Sequence, residues 1–243
     1  MKEIHIGTSG WSYAHWDTVF YPCNISSNQH LKFYSEFFNT VEINTTFYHL
    51  PLVKTVRNWH KQIPEDFIFS VKASRYITHM KKLMNCEKAL QLFYSRIKYL
   101  KEKLGPILFQ LPPSFAMDFQ ILQNFIDLLD SDYSHVFEFR HPTWYTQKIY
   151  TLLRSRNIGL CVTDLDGKLS PLKTTAKFAY VRLHGPQKAY KGSYNKEQLL
   201  KWKKQVLNWA KTKEVFLYFD NDEKSYAIKD GTALKEILLK RET

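Results

Sequence analysis

Apolar positions along the chain follow two spacings in turn, which predicts alternating strands and helices. Short runs of β-forming residues recur eight times, and most are followed by segments with apolar residues every three or four positions. Eight strands that alternate with seven or eight helices in 243 residues predict parallel βαβ units. The predicted strands are 3–8, 40–44, 67–72, 107–111, 136–140, 159–163, 178–184 and 215–219.

The connection between the sixth and seventh strands is short, so any helix between Leu165 and Lys177 must be brief. The predicted fold is therefore α/β, a single-domain (β/α)8 TIM-type barrel over residues 1–243 with a short or irregular sixth helix. An open doubly wound sheet is the alternative.

The fifth predicted strand carries two charged side chains on the same face. In the run VFEFRHPTWY, Glu138 and Arg140 share one face, because side chains alternate along a strand. Pro142 stops the strand, and Thr143 is predicted to cap the following helix.

Three other helix ends are predicted from local sequence. Gly105-Pro106 is predicted to end a helix, Asp118 to open one, and Asn195 with Gln198 to form a capping pair.

Polar residues recur at the carboxyl ends of the predicted strands, where barrels of this kind place their active sites. The predicted catalytic residues are Glu42, Glu138, His184 and Asp220. The predicted substrate-binding residues are Asn44, Lys72, Gln110, Arg140, His141, Arg182, Tyr48, Trp144, Tyr190 and Lys191. The alternative is a structural network in which Arg140, Arg182 or Lys72 neutralises Glu42 or Glu138.

Several chemistries suit parts of this set. Two carboxylates can act as general acid and base or flank a glycosidic bond, and His184 with Asp220 can transfer a proton. The cations can clamp a phosphate or a carboxylate. The sequence does not decide whether a cofactor binds. A divalent metal could be held only by residues from several strand ends, because the sequence contains no compact ligand motif such as HExxH or HxH. These residues would be Glu42, Glu138, Asp164, His184 and Asp220.

The loop HGPQKAYKGSYN follows the seventh strand and is a candidate anion site through Lys188 and Lys191. Aromatic residues interleaved with cations also suit stacked nucleic-acid bases. The net charge of +12 favours anionic partners, small molecules or nucleic acid, although solvated lysine-rich helices would give the same value.

Cysteine usage and hydropathy indicate a compartment. Cys23, Cys86 and Cys161 lie far apart, which fits a reducing cytosol rather than a disulfide framework. The sequence has no long apolar h-region and no run approaching 18 apolar residues. We therefore expect a cytoplasmic protein without a membrane partner, and leave its oligomeric state open.

Several longer segments of the chain, spread from the first strand to the last helix, form a recognisable set: GTSGWSYAHW, VEINTTFYHLP, FSVKASRYITH, LGPILFQLPPSF, FEFRHPTW, VRLHGP and YFDND. In these segments the chain resembles the YecE-like family of uncharacterised proteins. The resemblance implies a one-domain TIM-type barrel and no established activity. Residues 229–231 depart from the pattern, because Lys229-Asp230-Gly231 stands where an Asn-Ala pair is expected.

Three functional hypotheses follow from the sequence. The first is an enzyme, a hydrolase or lyase, that acts on a phosphorylated or nucleic-acid substrate by acid-base chemistry, with or without a metal. The second is a nucleic-acid-binding barrel without chemistry. The third is a sugar-processing enzyme that uses paired carboxylates, which the many neighbouring cations disfavour.

Overall fold

The computed structural model describes residues 1–240. Its strands are β1 (Ile4–Thr8), β2 (Thr40–Ile43), β3 (Ile68–Lys72), β4 (Leu104–Gln110), β5 (His135–Glu138), β6 (Gly159–Leu165), β7 (Lys168–Leu169), β8 (Phe178–Leu183) and β9 (Glu214–Phe219). Its helices are α1 (His30–Ser35), α2 (Thr45–Tyr48), α3 (Val53–Gln62), α4 (Glu87–Ile97), α5 (Phe119–Asp127), α6 (Gln147–Ser155), α7 (Lys196–Ala210) and α8 (Tyr226–Leu239).

The chain divides into two compact units. The first unit comprises Met1–Glu42, Val162–Leu172 and the described residues from Lys177 onward. The second comprises Ile43–Cys161 and Lys173–Ala176. Strands β2 and β6 each pass from one unit to the other along their length, so neither unit is a separate stretch of chain.

The first unit is built on parallel strands. Strand β9 pairs with β1 on one side and with β8 on the other, and the bridge between Ser9 and Glu42 adds β2. Helices α7 and α8 cover this sheet, because their apolar stripes supply Leu199, Val206 and Leu234 to the buried core.

The second unit continues the same pattern. Strand β4 pairs in parallel with β3 and β5, and β5 pairs with the first part of β6. The register places Gln110 opposite Glu138 at the carboxyl ends of neighbouring strands. Phenylalanine rings at 109, 125 and 137 fill the adjoining core.

The protein has the predicted (β/α)8 TIM-type fold, in which the seventh and eighth barrel strands are β8 and β9. The irregular sixth connection takes the form of a hairpin. Asp166 and Gly167 both have positive φ angles, and they turn β6 back into the antiparallel β7. Residues 170–177, all of them described, lead to β8 without a helix.

Local predictions had mixed outcomes. Asp118 caps α5, and Asn195 and Gln198 form the capping pair of α7, as predicted. Gly105-Pro106 was wrongly predicted to end a helix, because both residues lie inside β4. The cap of α6 is Thr146 rather than Thr143, which lies in a 3₁₀ turn that Pro142 opens.

Within residues 1–240, no helix combines the length and apolar character that a membrane crossing requires.

Candidate functional site

A buried ion pair lies at the strand ends of the first unit. Glu42 at the end of β2 and Arg182 near the end of β8 are both fully buried. Arg182 Nη2 lies 2.8 Å from Glu42 Oε1, and the carboxylate also accepts hydrogen bonds from Ser9 Oγ (2.6 Å) and the Tyr180 hydroxyl (2.7 Å). The structure therefore confirms Arg182 as the partner of Glu42. A carboxylate with this many donors is firmly held in one position.

His184 and Asp220 form a second contact beside this pair. His184 Nδ1 lies 2.9 Å from Asp220 Oδ2, which also lies 2.9 Å from Arg182 Nη2. On its other side, His184 Nε2 faces Arg182 Nη1 at 3.5 Å. Guanidinium nitrogens only donate, so Nε2 must present its lone pair and Nδ1 must carry the proton of the neutral ring. The contacts thus orient a buried imidazole whose Nε2 carries the lone pair and faces Arg182.

The loop after β8 covers this imidazole. The Tyr190 ring packs edge-on against His184 with centroids 5.4 Å apart, and the Tyr190 amide donates to the His184 carbonyl. Gly185 has a φ of 124° and lies against the Lys191 carbonyl, so a side chain at this position would clash. The turn therefore requires glycine immediately after the histidine.

Asp230, in the segment that departs from the family pattern, anchors the end of this loop. The carboxylate is buried and accepts hydrogen bonds from Ser193 Oγ (2.6 Å), the Tyr194 amide (2.9 Å) and Asn221 Nδ2 (2.7 Å). Burial raises the pKa of Asp230 above its ordinary value. The sequence offered one signal for this role, an aspartate on the apolar side of a helix.

Asp222 is a second acid that sequence reasoning missed. It accepts hydrogen bonds from Trp16 Nε1 (2.8 Å) and from His15 Nε2 (2.8 Å). Burial raises the pKa of Asp222 to about 6, although the two hydrogen bonds favour the charged form and act in the opposite direction. Burial also raises the pKa of Asp164 above its ordinary value. The first unit therefore holds carboxyls that keep their protons at higher pH than ordinary aspartates do.

The second unit has its own charged groups at the ends of β3 and β5. Glu138 is fully buried and pairs with Arg140, which lies just beyond the end of β5 rather than inside the strand. Lys72 Nζ stands 4.3 Å above the centre of the Phe47 ring. Gln110 Nε2 donates to the Leu111 carbonyl at 3.1 Å. Arg140 is therefore the neutralising partner of Glu138, one of the pairings that the structural alternative anticipated.

His79 was also missed by sequence reasoning. It lies in a π-helical turn, Tyr76–Met80, a rare element that is frequent at functional sites. Burial and the charges of Lys72, Arg75 and Arg140 lower the pKa of His79 to about 4, although Glu138 opposes them. The imidazole is therefore neutral at pH 7.

The remaining predicted residues differ in exposure. Trp144 is fully buried and donates to the Phe115 carbonyl, which makes it part of the core. Tyr48 is 69% exposed, and His141 is half-buried and bonded to Thr143. Asn44 is half-buried, and its Oδ1 has no hydrogen-bond partner among residues 1–240.

One cluster of the described residues has the spacing of metal ligands. Ligand atoms of Glu3, His5 and Glu214 lie within 4.8 Å of one another, at the amino ends of β1 and β9. Among residues 1–240 of the first unit, Asp164, His184 and Asp220 do not form a second such cluster. His5 Nδ1 accepts from Asn39 Nδ2, so Nε2 carries a proton toward Glu214, 2.7 Å away, and the contact is an ordinary hydrogen bond.

Comparison with known proteins gives consistent matches. The family described as "Protein of unknown function DUF72" matches residues 5–243. UPF0759 protein YecE of Escherichia coli K12 is 32% identical over 66% of the chain, and the match spans 59% of that relative's length. UPF0759 protein YunF of Bacillus subtilis is 27% identical, covering 97% of this chain and 94% of its own.

Solved structures show the same relationship. The crystal structure of a DUF72 family protein from Thermotoga maritima superposes with a TM-score of 0.88 at 28% identity, over 98% of this chain and all of the other. A DUF72 family protein from Enterococcus faecalis has a TM-score of 0.84 at 20% identity over 99% of this chain and 97% of its own, which supports the fold alone.

Proposed function

The chain belongs to the DUF72 family, which is described as being of unknown function, and we propose its function from the site: an enzyme that acts on a phosphate-containing substrate by acid-base chemistry. The observation that carries the proposal is the His184–Asp220 contact, which presents Nε2 of a buried histidine as a proton acceptor. A histidine oriented by a carboxylate is a recurrent general base, and such groups contribute about 10²- to 10⁴-fold in rate.

The charges around His184 suit this role. Arg182 contacts both Glu42 and Asp220, so the three groups together carry one net negative charge beside the imidazole. A net negative charge beside a general base suits a step in which that base takes up a proton.

In hydrolysis of a phosphate ester, Nε2 accepts a proton from water as the water oxygen bonds to phosphorus. The phosphorus–oxygen bond to the leaving group breaks, and that oxygen needs a proton. Asp222 is suited to supply it, because a carboxyl with a pKa of about 6 retains part of its protons at neutral pH. The anionic character of the substrate is supported by the net charge of +12 and by Lys188 and Lys191 in the loop that covers His184.

The test compares the wild type with His184→Asn on three probes: p-nitrophenyl phosphate, bis-p-nitrophenyl phosphate and a labelled single-stranded oligonucleotide. We expect turnover of at least one probe and a loss of about 100-fold or more in the variant, since an asparagine side chain cannot take up the proton. The matched control is His60→Asn. His60 lies on helix α3 and also contacts a carboxylate, that of Glu102 at 2.8 Å, and the variant should keep the wild-type rate.

Two results would overturn the proposal. One is a His184→Asn rate within threefold of the wild type while the variant remains folded. The other is a wild-type protein that turns over none of the three probes, with or without added magnesium.

A further inference from the structure

A serine, a histidine and an aspartate of the first unit lie together in the connection from β1 to β2. Ser12 Oγ lies 2.9 Å from His30 Nδ1, and Asp17 Oδ1 lies 3.8 Å from Nε2 of the same ring. These are the residue types of the serine hydrolase triad, in which a base contacts the nucleophile and a carboxylate lies on the far side of the base. None of the three is among the site residues predicted from the sequence.

Packing holds the imidazole of His30 in place. The ring is stacked on Tyr21, with centroids 3.7 Å apart and an interplanar angle of 3°. Both residues are buried, and His30 is the first residue of α1. The Tyr21 hydroxyl donates to the carbonyl of Trp11, which directly precedes Ser12 in the chain. One tyrosine therefore contacts both the ring and the loop that carries the serine, and these contacts fix the separation of Nδ1 and Oγ.

The two contacts favour one neutral form of this ring. A carboxylate only accepts hydrogen bonds, so Asp17 favours a proton on Nε2 of His30. Nδ1 then has the lone pair, and the Ser12 hydroxyl donates to it. Burial lowers the pKa of His30 below its ordinary value, although the charge of Asp17 acts in the opposite direction. A neutral ring with its lone pair toward a hydroxyl is the arrangement that a general base requires.

The serine is accessible, unlike the histidine that it contacts. Ser12 is exposed, whereas His30 is buried, so a substrate can reach the hydroxyl while the stacked ring stays shielded from water. The loop that carries Ser12 follows the carboxyl end of β1, and barrels of this class bind their substrates at that end of the strands. The same loop contacts the candidate site, because the Gly10 amide donates to the Glu42 carbonyl at 2.8 Å.

We propose that Ser12 is a nucleophile, with His30 as its base and Asp17 as the residue that orients the base, in a second reactive centre that cleaves small carboxylic esters. Ser12 Oγ bonds to the acyl carbon as its proton passes to Nδ1, and the bond from that carbon to the alcohol oxygen breaks. The alcohol leaves with the proton from Nδ1. Water then attacks the acyl carbon and gives a proton to Nδ1, and the acid is released as Ser12 regains that proton. This activity is separate from the phosphate chemistry proposed for His184.

The experiment treats the full chain with a biotin-tagged fluorophosphonate, a probe that marks activated serines. Ser12 Oγ bonds to phosphorus, fluoride leaves and His30 takes up the proton, so a stable adduct forms that mass spectrometry assigns to one residue. We expect the adduct on Ser12 at neutral pH, together with release of p-nitrophenol from p-nitrophenyl acetate. Ser12→Ala should lower both rates by about 100-fold or more. A wild-type chain without an adduct on Ser12 would overturn the proposal.

The matched control is Ser155→Ala, which removes another exposed serine. The Ser155 hydroxyl donates to the Leu152 carbonyl at 2.8 Å instead of contacting a histidine. The variant should react with the probe and with the ester at the wild-type rates, because its hydroxyl has no base to take up the proton. An adduct on Ser155 as abundant as that on Ser12 would show that exposure alone determines the reaction, and would contradict the proposal.

Asp17→Asn tests the residue that orients the base. The Asp17 side chain is 58% exposed, so the variant should fold. Asparagine keeps the size of the side chain but lacks the charge that favours a protonated ring, so the pKa of His30 should fall. We expect labelling of Ser12 to slow about tenfold, and the midpoint of its rise between pH 4.5 and 8 to move to lower pH. An unchanged rate with an unchanged midpoint would contradict the proposal.

Discussion

Replacing Glu42 with alanine is expected to lower the free energy of unfolding by about 3 to 5 kcal/mol. The substitution leaves the guanidinium of Arg182 buried with Asp220 as its remaining carboxylate, and it removes the acceptor for Ser9 and Tyr180. Removing one member of a buried ion pair is costly because the other charge stays desolvated. Urea denaturation followed by circular dichroism measures the change.

An exposed ion pair provides the comparison. Glu197 lies 2.8 Å from Lys201 on helix α7, and both side chains are largely exposed, so Glu197→Ala should have no measurable effect. The double variant Glu42→Ala with Arg182→Met should lose less stability than the two single variants combined, because neither charge is then left alone. A Glu42→Ala loss below about 1 kcal/mol would show that the pair is not buried as described.

Replacing Trp144 with alanine is expected to cost about 3 to 5 kcal/mol of stability, the usual penalty for removing a fully buried aromatic side chain. The indole is stacked on Phe139 with centroids 4.8 Å apart, meets Phe115 edge-on at 5.4 Å and donates to the Phe115 carbonyl at 2.7 Å. Trp144→Phe should cost about 1 to 3 kcal/mol, because it fills much of the space but leaves that carbonyl without its donor.

The control is Tyr48→Ala at a side chain that is 69% exposed, where the change should stay within about 0.5 kcal/mol. Thermal and urea unfolding of the three variants give the comparison. A Trp144→Ala variant as stable as the wild type would show that the indole does not stabilise the core. The prediction that Trp144 is a loop residue that contacts substrate would then be favoured again.

The fold was predictable because strand and helix spacings alternate along most of the chain, and the geometry of parallel units then leaves few arrangements. The sequence offered Arg140 as one possible partner of Glu138, because residues two apart on a strand share a face, although Arg140 lies just beyond the end of β5. The hairpin after β6 was missed, although Asp166-Gly167 is a strong local turn signal.

The site was harder to predict where it depends on loops. Asp222 and His15 are 207 positions apart in the sequence, so no local spacing of residues predicts their contact. His79 stands out only through the charges that surround it, and these come from three segments of the second unit. Trp144 follows a strand-ending His-Pro, a pattern typical of loop residues, but its burial is set by Phe115 and Phe139.

The measurement that tests the central claim most directly is the proton position on His184. Nitrogen-15 NMR of the imidazole distinguishes the two neutral tautomers. The contacts with Asp220 and Arg182 predict a proton on Nδ1 and, on Nε2, a lone pair that faces Arg182 Nη1. A neutral His184 that carries its proton on Nε2 would contradict the account, because that nitrogen could not then act as the base.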